Sequence, residues 1–512
     1  MNDYVKAWQC IGCGKIEAPQ TCIGVCQDRK VQFVYAEEHE QTLAELAAAR
    51  RRVSALETLV RRLACTSPRK DRWEYSYRVM QEQARALLAP TWNGTQDPAC
   101  LRTGGERDMN TPQRLQMTKI EVLGSQANRA SKGFALWNLG FRPFYLLASI
   151  FAALSILLWV FQYTGQLPAA YLRSPAWHGH EMLFGYTMAV VAGFLLTAVA
   201  NWTGKPTPTG SALIALVALW VAGRVLVLTP YDTAAAMVNV AFPVALAIGI
   251  GRAVVQSRNR RNYFFLVLLL LLGLAVLAFH LSHLDMLPWP EQASLQVGLD
   301  IVLFIMAVIG GRVIPMFTNS GIPGVQATRH PLVEKCALIG VLVLLGVDLL
   351  QVPASVVAAL AFLVAFAHAI RLYLWQPWRT GSAPLVWVLH VAYGWIVVYL
   401  VLRALAAIGL IGQLFAVHAL TVGAIGGMTI GMMTRTARGH TGRPLRADHF
   451  EVACFALVAL AAAIRVFGGM LLPGVYLMTV AVSGVCWSAA FALYAIRYWP
   501  VLSRARLDGK PG

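Results

Sequence analysis

From Arg142 to the carboxy-terminal tail, apolar runs of about 18 or more residues follow one another with only short breaks, each long enough to cross hydrocarbon as a helix. In lipid, only helices and closed barrels satisfy every backbone polar group. The runs therefore predict an all-α, polytopic membrane protein. In order they cover 144–164, 181–200, 211–229, 233–252, 262–284, 293–316, 332–351, 353–375, 383–406, 411–433, 450–468 and 473–497. That is about twelve spans of bilayer length. Only 13% of residues are charged, where a soluble chain carries roughly a quarter. The net charge of +18 is read as basic loops on one membrane face, so no nucleic acid is expected.

The basic residues fall on every second connection. Arg129, Lys132 and Arg142 precede the first span, and Lys205, Arg252, Arg258, Arg329, Lys335, Arg379, Arg435, Arg438, Arg443 and Arg446 flank later ones. Arg504, Arg506 and Lys510 close the chain, and the intervening connections are nearly bare apart from Arg173. The positive-inside rule then predicts an even number of spans, with both termini in the cytoplasm of a bacterial inner membrane. The bundle is expected over 134–500, with a short tail over 501–512.

This topology sorts the histidines by depth. His178 and His180 start the second span, His280 and His283 end the fifth, and His418 lies early in the tenth, all toward the non-cytoplasmic face. Imidazole is the commonest protein ligand for copper, zinc and haem iron. His280 and His283 have the spacing of one helix face, as do His178 and Glu181, which would leave His180 pointing elsewhere unless the turn before Glu181 is irregular, as Pro175 and Gly179 permit. Met182 is a candidate soft ligand for Cu(I). The plainer reading of each histidine is a hydrogen bond between helices. A proton path is the other functional reading of such a layer. His368 and His390 lie toward the opposite face.

Gly423, Gly427 and Gly431 give the tenth span one smooth face, for close helix packing or for a flat macrocycle. The basic tail from Arg435 to Arg446 is a topology anchor, or, if a haem lies near the cytoplasmic side, a holder of its propionates through Arg435, His440 and Arg443. Pro315 is expected to kink or end the sixth span. Asp300 and Asp348 are acids in apolar runs, which should face the bundle interior. Arg224 and Arg403 are candidate partners for acids or propionates.

Four stretches carry a resemblance: WHGHEMLFGY from Trp177, GFLLTAVANWTGKP from Gly193 to Pro206, GGRVIPMFT from Gly310 to Thr318, and the sequence from His418 to Arg443. Together, over about residues 130–500 and in this order, they resemble the NnrS family. The matching positions include His178, His180, Glu181, Asn201, Trp202, Arg312, Pro315, His418, Arg435, His440 and Arg443. The resemblance implies a membrane protein with haem and copper, linked to denitrification and to resistance to nitric oxide. Nitric oxide or a nitrosyl species would be its ligand. The residues we assign to metal are His178, His180, His280, His283 and His418, with Glu181 orienting a ligand histidine or passing a proton. A secondary transporter, with broken helices near Pro175, Pro243 and Pro315, is the alternative that needs no haem. A haem-copper oxidase or nitric oxide reductase core fits less well, because no adjacent His-His pair is present.

The first 133 residues differ. Cys10, Cys13, Cys22 and Cys26 form C-x2-C-x8-C-x3-C within 1–35. Four thiolates can close around zinc, and an iron–sulfur cluster or free thiols are the alternatives. Over 36–90 the sequence reads as helical. Leu46, Val53 and Val60, with Ala49, Leu56 and Leu63, form a short heptad seam that offers a homodimer contact through 43–63. Residues 91–133 read as a linker rich in Gly, Thr, Asn and Pro.

Overall fold

The computed structural model describes residues 134–166, 170–173, 175–258 and 262–507, together with 8–9, 16–17, 45–47 and 53–54. The chain divides into two units, Met1–Met117 and Thr118–Gly512. In the first, β1 (Trp8–Gln9) pairs antiparallel with β2 (Ile16–Glu17), Trp8 opposite Glu17. Residues 45–47 and 53–54 are helical. The four cysteines, most of the heptad helix and the linker lie outside the described residues.

The second unit contains twelve long helices among the described residues. They are α1 (Phe141–Tyr163), α2 (Ala176–Thr203), α3 (Gly210–Leu226), α4 (Asp232–Gln256), α5 (Tyr263–His283) and α6 (Glu291–Gly321). Then come α7 (Pro331–Leu349), α8 (Ala354–Leu374), α9 (Pro384–Ala407), α10 (Gln413–His440), α11 (His449–Leu471) and α12 (Tyr476–Ser503). Each of the twelve expected runs is a helix. Ten are long and apolar enough to cross a membrane. The other two are α3, which has 17 residues, and α7, which carries Glu334, Lys335 and Asp348.

Chain neighbours pack on one another around a ring, α3 lying outside it against α4, and α12 closes the ring by packing on α1. The helices with the most buried apolar windows are α2 at 83% and α6 at 72%, which makes them the centre of the bundle. Residues such as Val225, Leu274, Leu363 and Ile496 point outward. An exposed apolar surface of this kind is the lipid contact of a spanning bundle. Phe134 bridges Arg504, and the amide of Ala135 donates to the carbonyl of Ser503 at 2.8 Å. The start and end of the bundle therefore lie on one face, as an even number of crossings requires.

Two alternatives left open for single elements are decided. The helix α6 does not end at Pro315 but runs on to Gly321. Proline removes the amide that would bond residue i−4, here Gly311. The freed carbonyl of Gly311 accepts instead from the Arg329 guanidinium at 3.3 Å. The glycine face of α10 is a packing surface. A Cβ on Gly423 would lie 2.4 Å from the Trp395 ring, and one on Gly427 would lie 2.9 Å from Ala392. This face is filled by α9.

Candidate metal centre

Three helices of the bundle contain π-helical segments. They are Glu181–Thr187 in α2, Ala419–Gly426 in α10 and Ile464–Gly468 in α11. The first two begin immediately after His180 and His418, and the third carries Arg465. Such bulges re-aim side chains and concentrate at functional sites.

The histidines come together as two pairs on either side of α2. In the first, the His180 and His280 rings meet edge to face with centroids 4.9 Å apart. Both side chains are fully buried. His180 Nδ1 lies 2.8 Å from Glu181 Oε1. A carboxylate only accepts, so Nδ1 carries the proton and Nε2 keeps its lone pair. Glu181 is held in turn by Arg224, whose Nε lies 2.7 Å from Oε2. Arg224 also donates to Asn239 of α4. Gly185 admits this arginine, since a Cβ there would lie 3.2 Å from its guanidinium. His280 Nδ1 lies 3.1 Å from the Tyr171 hydroxyl. The Nε2 atoms of both His180 and His280 are buried without a hydrogen-bond partner. Buried polar atoms are rarely left so.

His283 stands beside this pair but is engaged. Its Nδ1 lies 2.8 Å from Glu291 Oε1, and its Nε2 lies 3.4 Å from the Tyr171 carbonyl. The spacing argument placed His178 with Glu181. Instead Glu181 joins His180, because adjacent side chains at the start of a π turn are brought into contact.

His178 belongs to the second pair. Its ring packs on Trp159 at 5.1 Å, and its Nδ1 is buried without a hydrogen-bond partner. His418 donates from Nδ1 to the Leu414 carbonyl at 2.6 Å, which leaves its Nε2 as acceptor. His178 and His418 interact electrostatically with each other and with Arg465. Arg465 reaches the Tyr476 hydroxyl at 3.2 Å, and its Nη1 has no hydrogen-bond partner. Met182 lies near Ser155 of α1, with oxygen to sulfur at 3.8 Å. Among the described residues no three of His, Cys, Asp and Glu converge as a metal-binding group. The layer therefore offers paired imidazoles.

Arg435, His440 and Arg443 are not brought to the histidines. His418 and Arg435 are 17 residues apart on one helix, about 25 Å of rise. No single haem spans that. Arg435 lies over the Phe317 ring at 3.7 Å, and the His440 ring packs on Phe141 at 5.6 Å. Arg443 sits among Arg438, Arg497 and Arg504 on the face of the termini. Arg224 and Arg403, which the sequence left between acids and propionates, both hold acids: Glu181 for the first, Asp300 and Asp348 for the second.

A search among curated proteins finds no match. The family model described as NnrS protein matches residues 135–506, which is the whole helical bundle, and the chain belongs to the NnrS family.

Proposed function

We propose that the histidine layer binds two redox-active groups, copper between His180 and His280 and haem iron at His178 and His418. The protein then acts in nitric oxide metabolism or in protection from nitrosative stress, in the inner membrane. One observation carries this reading: two buried imidazole nitrogens, His180 Nε2 and His280 Nε2, have no hydrogen-bond partner, on rings whose centroids lie 4.9 Å apart. Their rings stand too close for a macrocycle between them, so this pair suits copper. The pair of His178 and His418 has Arg465 near it as a cation for a haem propionate. The family resemblance supplies haem, copper and nitric oxide.

When bound, these metals would supply an open coordination position for nitric oxide. The chain's own residues do the rest. Glu181 keeps the proton on His180 Nδ1, which aims the Nε2 lone pair, and Arg224 fixes Glu181. Carboxylates placed behind ligand histidines in this way are typically worth about 10- to 100-fold in metal affinity. Phe184 and Phe279 close around His180 and keep water out. In the amino-terminal unit, Cys10, Cys13, Cys22 and Cys26 would hold zinc.

The test is metal analysis and an absorption spectrum on the purified full-length protein. His180→Ala and His280→Ala should each lower copper and spare the Soret band. His178→Ala and His418→Ala should do the reverse, and His283→Ala should retain both. Retention of full iron and copper by all four ligand variants would sink the assignment.

A further inference from the structure

We propose that α6, α7, α8 and α9 form a proton path between the two faces of the bundle, made of two buried polar networks placed end to end. None of the histidines assigned to metal takes part, so this path and the metal reading stand or fall separately.

The first network lies near the start of α7. Arg371 of α8 donates to both carboxylate oxygens of Glu334, at 2.8 and 2.5 Å. The same guanidinium donates to the Tyr393 hydroxyl at 2.9 Å and to the Ala307 carbonyl at 2.8 Å. Gly311 makes room for it, since a Cβ there would lie 1.8 Å from Arg371 Nη2. Because the Tyr393 oxygen accepts from arginine, its proton points to His368 Nδ1, 2.6 Å away. His368 is fully buried, its proton is therefore on Nε2, and its other neighbour is the Ala337 backbone of α7.

The second network lies near the end of α7. Arg403 of α9 donates to Asp300 Oδ1 at 3.0 Å and also to Asp348. Tyr399 accepts from Arg403 at 3.0 Å, and Gln296 donates to both Asp300 and Tyr399 at 3.1 Å. Asp300 is fully buried, and its carboxyl hydrogen-bonds that of Asp348.

Three features distinguish a path from a pair of structural clamps. The first is the placement of the ends. Glu334 and Asp348 are 21% and 15% exposed while the groups between them are buried. They sit 14 residues apart on one helix, about 21 Å. The second is charge. Glu334 and Arg371 balance, but Asp300 and Asp348 share a single arginine. A buried surplus carboxylate is costly, so the pair holds a proton between them. The third is that each network reaches a fully buried group that can carry a proton, His368 in the first and Asp300 in the second. Tyr393 and Tyr399 are six residues apart on α9, about 9 Å, which one or two waters can bridge. On the face of α8 that carries His368, residues 358, 361 and 365 are all alanine.

One transfer leaves the networks as they began. His368 releases its Nε2 proton through water to Asp300 and takes the Tyr393 proton on Nδ1. Glu334 takes a proton from the face it is exposed to and gives it up to the Tyr393 oxygen, which Arg371 holds, and so returns to the carboxylate. Asp300 passes its surplus proton to Asp348 and so to the far face, and His368 regains its starting tautomer by giving its Nδ1 proton to the bridging water and taking one from that water on Nε2.

The experiment uses the full-length protein in liposomes with a trapped pH dye and a valinomycin-driven potassium potential. Proton entry should exceed that of protein-free liposomes. Asp300→Asn and Tyr393→Phe should each reduce it by about tenfold or more, in protein that elutes and reads as helical like the parent. An infrared band of a protonated carboxyl should be present in the parent and lost in Asp300→Asn. Should either variant misfold, Asp348→Asn at the partly exposed end should give the same loss of flux. Flux no greater than in protein-free liposomes, flux that survives these substitutions, or no protonated-carboxyl band would each overturn the proposal.

Discussion

At the scale of single residues, the bundle is organised by arginines that reach into it and glycines that let them through. Arg224 passes Gly185 to reach Glu181, and Arg371 passes Gly311 to reach Glu334. Gly311 has a second duty, because Pro315 frees its carbonyl for Arg329. Gly311→Ala should therefore be destabilising by about 1–3 kcal/mol through overpacking against the guanidinium. Unfolding in detergent would show this as a lowered midpoint, and an unchanged midpoint would mean that Arg371 moves aside freely. The histidines were visible from their depth in the sequence, and His180 with His280 did come together. What spacing missed was the partner of Glu181. An ideal α-helix predicts His178, but the π turn that starts at Glu181 turns its carboxylate to His180 instead.

At the scale of elements, the ends of the helices show how local chemistry sets boundaries. Asp448 caps α11, accepting from the amides of Phe450 and Glu451, while Glu451 reaches back to the Asp448 amide at 2.7 Å. This reciprocal box was present in the sequence as Asp-x-x-Glu before an apolar run. Partial burial pushes the Asp448 carboxyl up, but its bonds from Arg497 and from the cap amides outweigh that, so it lies below the usual range. A depressed carboxyl contributes stability that is present above its unfolded pKa and is lost as pH falls through the folded one. Asp448→Ala should cost about 1 kcal/mol at neutral pH. The gap between parent and variant should close on acidification below the ordinary carboxylate range, as measured by unfolding midpoints across pH. A gap that stays constant into acid would assign the cap's contribution to something other than its charge. The π segments had no such signature, because nothing in the apolar period separates 3.6 from 4.4 residues per turn over seven residues.

At the scale of the whole molecule, twelve helices and the bridge between Phe134 and Arg504 put both ends of the bundle on one face. That face gathers Arg142, Arg438, Arg443, Arg504 and Arg506, and Arg142 donates to the carbonyls of Leu502 and Arg504. Reporters fused at residue 133 and at the carboxy terminus should give the same sidedness, and the positive-inside rule puts both in the cytoplasm. Opposite sidedness of the two would contradict the even count. Two reporters that agree but lie outside the cytoplasm would contradict only the assignment of the face.

What the sequence by itself determined is the part that depends on composition along one chain. Number of helices, their limits to within a few residues, the alternation of basic loops and the family motifs are all properties of local hydrophobicity and charge. Lipid enforces that reading, because a run of apolar residues in hydrocarbon has no stable alternative to the helix. The tertiary structure decided which polar groups meet. It joined Arg403 to acids on two other helices, gave the glycine face of α10 to α9 and kept Arg435 and Arg443 far from the histidines. It also split one layer of imidazoles into two pairs. Those outcomes depend on the rotation of each helix about its own axis. Rotation is set by close packing and by the few buried hydrogen bonds a membrane interior allows, and neither is written in a single apolar run.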